Sequence, residues 1–221
     1  MSSDTSSRGH LIVFEGLDRS GKSTQCARLV DHLRSQGKEV FHQRFPDRTT
    51  VIGQMINSYL SGTSSQEDHA IHLLFSANRW EASESIRQHI ETGTTVVVDR
   101  YYYSGCVYSA AKQNPTMDLA WCRHPEIGLP RPDLCLFLDI AAEEAARRGG
   151  FGTERYEKQE LQDRVRDLFA ELRTLPDEAE DIVVIDAGQS IEGVEQSIHD
   201  AVRQRLEGEN AAGLLRYIRP W

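Results

Sequence analysis

Phe14-Glu15-Gly16-Leu17-Asp18-Arg19-Ser20-Gly21-Lys22-Ser23-Thr24 decides the fold. It matches G-x-x-x-x-G-K-[ST], the phosphate-binding P-loop. Leu11-Ile12-Val13-Phe14 is a short apolar run that reads as a buried strand. After Lys22 the pattern turns helical, with Cys26, Leu29, Val30 and Leu33 at i, i+3, i+4 and i+7. The glycines therefore stand at a strand-to-helix turn. Gly16 and Gly21 free the backbone, so successive N–H groups can surround phosphate oxygens. The helix adds its positive N-terminal end. Lys22 would reach the outer phosphates and the Ser23 hydroxyl would hold magnesium. The competing reading is a chance match of four letters, and the flanking strand and helix oppose it.

Working outward, four further segments read as strands: residues 39–44, 95–99, 134–139 and 182–186. Most are nearly continuous apolar runs, the pattern of a parallel sheet covered on both faces. Helical patterns separate them, so the expected fold is α/β with a five-stranded parallel sheet between two helical layers. One domain is expected over 10–206, with a disordered leader over 1–9 and a C-terminal tail over 207–221. The apolar cluster Leu214, Leu215 and Ile218 suggests that the tail docks on the body or on a partner. Ligands bind at the carboxyl ends of such strands, which brings forward Glu15, Arg44, Asp99, Arg100, Asp139 and Asp186.

The 221-residue chain is 39% hydrophobic and 27% charged, enough to bury a real core. A net charge of −9 argues against a nucleic-acid partner, which needs a basic face. Cys26, Cys106, Cys122 and Cys135 show no C-x-x-C spacing and read as buried reduced thiols. There is no long apolar run to span a membrane. Residues 1–9 lack both a signal-peptide core and the basic character of a transit peptide, so a cytoplasmic or nuclear location is expected.

Several polar positions carry two readings. Ser64-Ser65-Gln66-Glu67 reads as a capping box opening a helix. On that helix Phe75 and Arg79 share a face, where a ring and a guanidinium could stack on a flat base and bond its edge. Alternatively, Phe75 joins Ile71 and Leu74 in a core stripe. His69 and His72 share a face without a third ligand and read as solvated. Arg44 either faces the ligand edge or is a solvated loop residue, and the next bond, Phe45-Pro46, is more often trans than cis. Asp99 suits an acid near magnesium and Arg100 a phosphate clamp. Tyr101, Tyr103 and Tyr108 either line a pocket or pack. The glycine- and arginine-rich stretch 147–157 reads as a lid over phosphates, against a passive surface loop. The turn from Asp186 to Glu192 could edge an adenine.

Taken together, FEGLDRSGKSTQ, RFPDRTT with IGQMINSYL, EDHAIHLLFSANRWE, VVVDRYYYSG, GLPRPDLCLFLD, GFGTERYE and DAGQSIEGV make the chain resemble the thymidylate kinases of the eukaryotic type, from about Leu11 to Ile198. The resemblance implies a P-loop nucleoside-monophosphate-kinase-like three-layer fold. It implies transfer of the γ-phosphoryl group of ATP to dTMP, giving dTDP and ADP for dTTP synthesis, with dUMP as a secondary acceptor. Gly16, Ser20, Gly21, Lys22, Ser23, Thr24 and Arg148 would bind ATP phosphates, with Mg2+ at Ser23 and Asp99. Arg19, Lys22, Asp99 and Arg100 would be catalytic, Arg19 as an arginine supplied in cis to the migrating group. Asp18 would face the sugar hydroxyl, Arg44 and Arg100 would grip the acceptor phosphate, and Tyr108 would lie near the deoxyribose. Phe75 would stack on thymine, reversing the core reading, and Arg79 would bond the base edge. Tyr156 and Gln162 would be lid-region ligands, and the Phe75 helix resembles the family's dimer-forming region, which implies a homodimer. Another small-molecule kinase on this fold is the nearest alternative. A GTPase-type switch usually carries N-K-x-D, absent here, and a silent binding module is opposed by the presence of the matched polar positions.

Overall fold

Alternation along the first strand sorts the core into two faces. The computed structural model describes residues 8–148, 155–156, 158–206 and 213–221. In it β1 (Leu11–Gly16) points Leu11 and Val13 into one cluster, Ile12 and Phe14 into another. Period-2 geometry forces this split once both faces are covered. The chain continues through α1 (Lys22–Ser35), β2 (Val40–Arg44), α2 (Val51–Leu60), α3 (Asp68–Glu91), β3 (Thr95–Asp99), α4 (Tyr102–Ala110) and α5 (Leu119–Arg123). It ends with β4 (Leu134–Asp139), α6 (Ala142–Arg147), α7 (Gln159–Leu172), α8 (Pro176–Ala179), β5 (Ile182–Asp186) and α9 (Ile191–Leu206).

All pairings are parallel, in the order β2-β3-β1-β4-β5. Leu29, Val30 and Leu33 of α1 pack with Val194, Ile198 and Val202 of α9 against one face. The other face is covered by Ile86 and Ile90 of α3, Cys106 and Val107 of α4, and Val165 and Phe169 of α7. The expected three-layer architecture is present. Register then aligns the strand ends, with Asp99 opposite both Phe14 and Arg44.

Several local expectations change. α3 opens at Glu67 rather than Ser64: the Glu67 carboxylate accepts from His69 N at 2.8 Å and Ala70 N at 3.1 Å. A carboxylate there satisfies two orphan donors and suits the helix dipole. His72 is not solvated but fully buried. Its Nδ1 meets Ser109 Oγ and its Nε2 the Cys122 carbonyl, each at 2.8 Å. Burial pushes its pKa down to about 4, so the ring is neutral near pH 7. The Phe45-Pro46 bond is cis. All four cysteines are free and buried, as expected.

Both ends of the described chain are tied to the body. Arg8, inside the expected leader, forks onto Asp133 at 2.7 and 2.8 Å and donates to Gly213 O at 2.5 Å. In the tail, Ile218 is buried and exchanges backbone bonds with Gly128 and Leu129 at 2.9 Å.

Candidate active site

Backbone geometry builds the glycine-loop end of the site. Gly16 has φ +138°, and a Cβ there would stand 2.4 Å from the Leu138 carbonyl of β4. Only glycine passes that close. Gly21, at φ +91°, is the N-cap of α1, and no side chain caps the helix. Its first N–H groups are thus available to an anion. Lys22 folds back on this loop, with Nζ donating to Leu17 O at 2.5 Å and lying 3.4 Å from Ser20 Oγ. Burial, then the nearby Arg100, lowers its pKa to about 7.

Beside it, Ser23 Oγ donates to Asp99 Oδ2 at 2.5 Å, and Arg44 Nε lies 3.6 Å from the same oxygen. Strand register brings Asp99 and Arg44 together, and Ser23 reaches Asp99 from the first turn of α1. Among the described residues no group of three or more His, Cys, Asp or Glu side chains could hold a metal by itself. A hydroxyl and one carboxylate are nevertheless the hard-oxygen set by which Mg2+ is commonly held together with substrate phosphates and water. The residues therefore fit magnesium that arrives with a nucleotide.

Arg100 occupies the centre. Its φ is +67°, and Arg19 has the same value. Such conformations cost a non-glycine residue roughly 1–3 kcal/mol and cluster at functional sites. Arg100 pairs with Asp18 and donates from Nη1 to Ser104 Oγ at 3.0 Å. Burial works against its charge, but Tyr108 and the carboxylates of Asp18, Glu15 and Asp99 outweigh it and raise its pKa. Burial likewise opposes the Asp18 carboxylate, but Arg100 and Lys22 hold it below the ordinary range.

Behind Arg100, the fully buried Glu15 accepts from Tyr101 N at 2.8 Å, Ser104 N at 3.0 Å and Ser104 Oγ at 2.5 Å. A residue of β1 thus binds orphan donors at the start of α4. Burial, despite Arg100 and these bonds, raises the Glu15 pKa.

One cleft of about 430 Å³ runs from this end to α3, within the size range of small-ligand sites. Asp18, Arg19, Gly21, Lys22, Ser23, Thr24, Arg44, Arg100, Tyr108, Tyr156, Phe75 and Arg79 line it. Phe75 also packs on the cluster of Ile56, Tyr59, Leu60 and Ile71, so the ring belongs to a core stripe and lines the cleft at once. Gly16, Ser20 and Asp99 lie beneath the lining rather than on it. Gln162 also stands behind it, donating to Asp18 Oδ2 at 2.8 Å and Tyr156 O at 2.9 Å. Arg148 bridges two loops instead of facing the cleft, donating to Arg19 O at 3.2 Å and Ala187 O at 2.8 Å. Most of the expected lid over 147–157 lies outside the described residues. At its far end the Arg155 guanidinium lies 4.2 Å over the Tyr59 ring.

Sequence reasoning missed Glu126, Gly105 and the role of Glu15. Glu126 is fully buried and holds Arg79 with two bonds, Nε at 2.9 Å and Nη2 at 2.5 Å. A Cβ on Gly105 would stand 2.6 Å from Arg79 Nη2. Neither residue carries a periodicity or spacing signal, because each acts across the fold.

A family model described as thymidylate kinase matches residues 14–198. A thymidylate kinase of Arabidopsis thaliana is 51% identical over 206 residues, spanning 91% of this chain and 75% of the relative. The thymidylate kinase of Homo sapiens is 46% identical over 204 residues, spanning 90% and 94%. The solved structure of a thymidylate kinase from Candida albicans, described as having broad substrate specificity, is similar at a TM-score of 0.86 and 37% identity. That match covers 97% of this chain and all of the other.

Proposed function

The chain belongs to the thymidylate kinase family, and from that premise we propose how its residues phosphorylate dTMP with ATP. The observation that carries the reading is the continuity of one cleft from Lys22 and Ser23, past Arg44 and Arg100, to Phe75 and Arg79. Donor phosphates lie on Gly21, Lys22, Ser23 and Thr24, with Gly16 and Ser20 shaping the loop beneath them, and Arg148 joins this loop to the turn that edges the adenine. Ser23 and Asp99 would hold magnesium with the donor, where it would neutralise phosphate charge. Phe75 stacks on the acceptor base and Arg79 bonds its edge. Tyr108 lies against the sugar and Asp18 takes its hydroxyl. Tyr156 and Gln162 close this end, while Arg44 and Arg100 bind the acceptor phosphate.

An oxygen of the bound dTMP phosphate attacks the γ-phosphorus of ATP, the bond to the β–γ bridging oxygen breaks, and ADP leaves. That oxygen is already ionised near pH 7, so the protein mainly positions it and stabilises charge. Lys22, Arg19 and Arg100 supply cations where charge spreads over the equatorial oxygens. A base-edge and stacking pocket also admits dUMP, which we assign as a secondary acceptor. With γ-labelled ATP, magnesium and dTMP, the label should appear at the β-position of dTDP, and chelation should stop its transfer. Label released only as inorganic phosphate would refute the reaction.

The lowered pKa of Lys22 adds a pH signature. At pH 8 the free side chain is mostly neutral and nucleotide phosphates are ionised. Phosphate contact favours the charged amine, so ATP binding should take up a proton and weaken as pH rises above about 7. Calorimetry in buffers of different ionisation enthalpy reads this uptake directly. Binding heats independent of buffer would contradict it.

We also assign a homodimer formed through α2 and α3, supported by exposed Val51, Met55, Leu73 and Trp80 and tested by light scattering. No helix among the described residues is long and apolar enough to cross a membrane. The assigned location is cytoplasmic or nuclear, and no nucleic-acid partner is assigned.

A further inference from the structure

Arg79 is held in the cleft from outside it. Its Nε and Nη2 are taken by Glu126, and its Nη1 makes no hydrogen bond among the described residues. Glu126 stands on the single 3-10 turn His124–Glu126 after α5. A turn of that length has little stability of its own, so what surrounds it fixes where Glu126 stands. On one side α3 grips the turn, with Ser76 Oγ and Trp80 Nε1 donating to Pro125 O at 3.2 and 2.8 Å.

On the other side lies segment 213–221. Gly128 N donates to Ile218 O, Ile218 N to Leu129 O, and Arg131 N to Arg216 O at 2.8 Å. Arg123, immediately before the turn, is buried and donates from Nε to Glu178 Oε1 at 2.6 Å. It also donates to Arg219 O, and its guanidinium lies 4.7 Å from the Trp221 ring. Trp221 Nε1 donates to the same Glu178 oxygen at 3.2 Å, and Glu178 accepts the Tyr102 hydroxyl. Tyr102 opens α4, which carries Gly105 and Tyr108. Both walls around Arg79 therefore lead to this knot.

We infer that segment 213–221, through Arg123 and Glu126, is a positioning element for acceptor recognition, setting Arg79 in the cleft and with it the affinity for the pyrimidine nucleoside monophosphate. The inference rests on the reading of Arg79 as the base-edge residue. None of these residues touches the donor end, so ATP affinity stands apart from it.

Initial rates of the full chain test it. Trp221→Ala should raise KM for dTMP about tenfold, with KM for ATP and kcat within about twofold, the scale of coupling through a packed network. Trp221→Phe keeps a ring over Arg123 and should recover most of the loss. On an Arg79→Lys background, which removes the guanidinium fork, Trp221→Ala should add less than about twofold, because the two changes act on one interaction. If Trp221→Ala loses its cooperative unfolding transition, Trp221→Leu is read by the same rates. An unchanged KM for dTMP in the Trp221 variants, while Arg79→Lys raises it, would overturn the positioning role and leave the base reading intact. Equal rises for ATP and dTMP, or a full additional rise on the Arg79→Lys background, would also overturn it. No effect of Arg79→Lys itself would remove the base reading and the inference together.

Discussion

Arg19→Ala is expected to lower turnover at saturating ATP and dTMP by about 10³-fold or more, the scale of other arginines supplied to a migrating phosphoryl group. Binding of dTMP, followed by calorimetry, should change little, because Arg19 lies at the P-loop while Phe75 and Arg79 line the far end of the cleft. Alanine retains a Cβ, so the left-handed backbone at Arg19 carries a similar strain before and after the change. The loss therefore reports the guanidinium rather than the loop. Turnover within a few-fold of the parent would remove Arg19 from the catalytic set.

Arg79→Ala is expected to act twice. Removing a charged hydrogen bond to the base edge should raise KM for dTMP by about 10- to 100-fold with little change for ATP. It also leaves Glu126 buried without its partner, and breaking such a pair typically costs about 3–5 kcal/mol of stability. Denaturant unfolding should record that loss. Arg79→Lys keeps a cation opposite Glu126 but not the planar fork. It should retain more stability while still raising KM for dTMP. A matching rise in KM for ATP in the lysine variant would contradict the base-edge assignment.

The contrast between these two arginines explains what the sequence could reveal. Arg19 sits inside a contiguous motif whose strand, turn and helix are all encoded locally, so its neighbourhood is readable from spacing alone. The same holds for the five strands, since apolar runs of β-branched and large side chains fit a sheet covered on both faces. The boundaries of β3, β4 and β5 coincide with those expectations. Arg79 was reachable as a candidate because Phe75 lies one turn away on the same face. Its partner Glu126 was not, because 47 positions separate them and no periodicity links a helix to a single turn. Glu15 was noticed as a polar strand end, yet its work at the start of α4 depends on a contact 86 positions away. His72 misled for the same reason: a histidine without nearby ligands reads as solvated until Ser109 and Cys122 are folded against it.

The resemblance in sequence implies which residues bind the acceptor, and the fold adds what packs behind them. Register places Asp99 beside Arg44, α1 brings Ser23 to Asp99, and two arginines in left-handed backbone conformations line the same end of the cleft. Gln162 and Arg148 stand one layer back, holding Asp18 and the P-loop respectively.

The most direct test is the rate of ADP formation from ATP and magnesium against dTMP, dUMP, dGMP, AMP, CMP and thymidine, compared as kcat/KM. The account predicts the highest value for dTMP, a lower one for dUMP, and little activity with AMP, CMP or thymidine. Comparable values across the monophosphates, or a preference for one other than dTMP, would contradict the pocket built from Phe75 and Arg79.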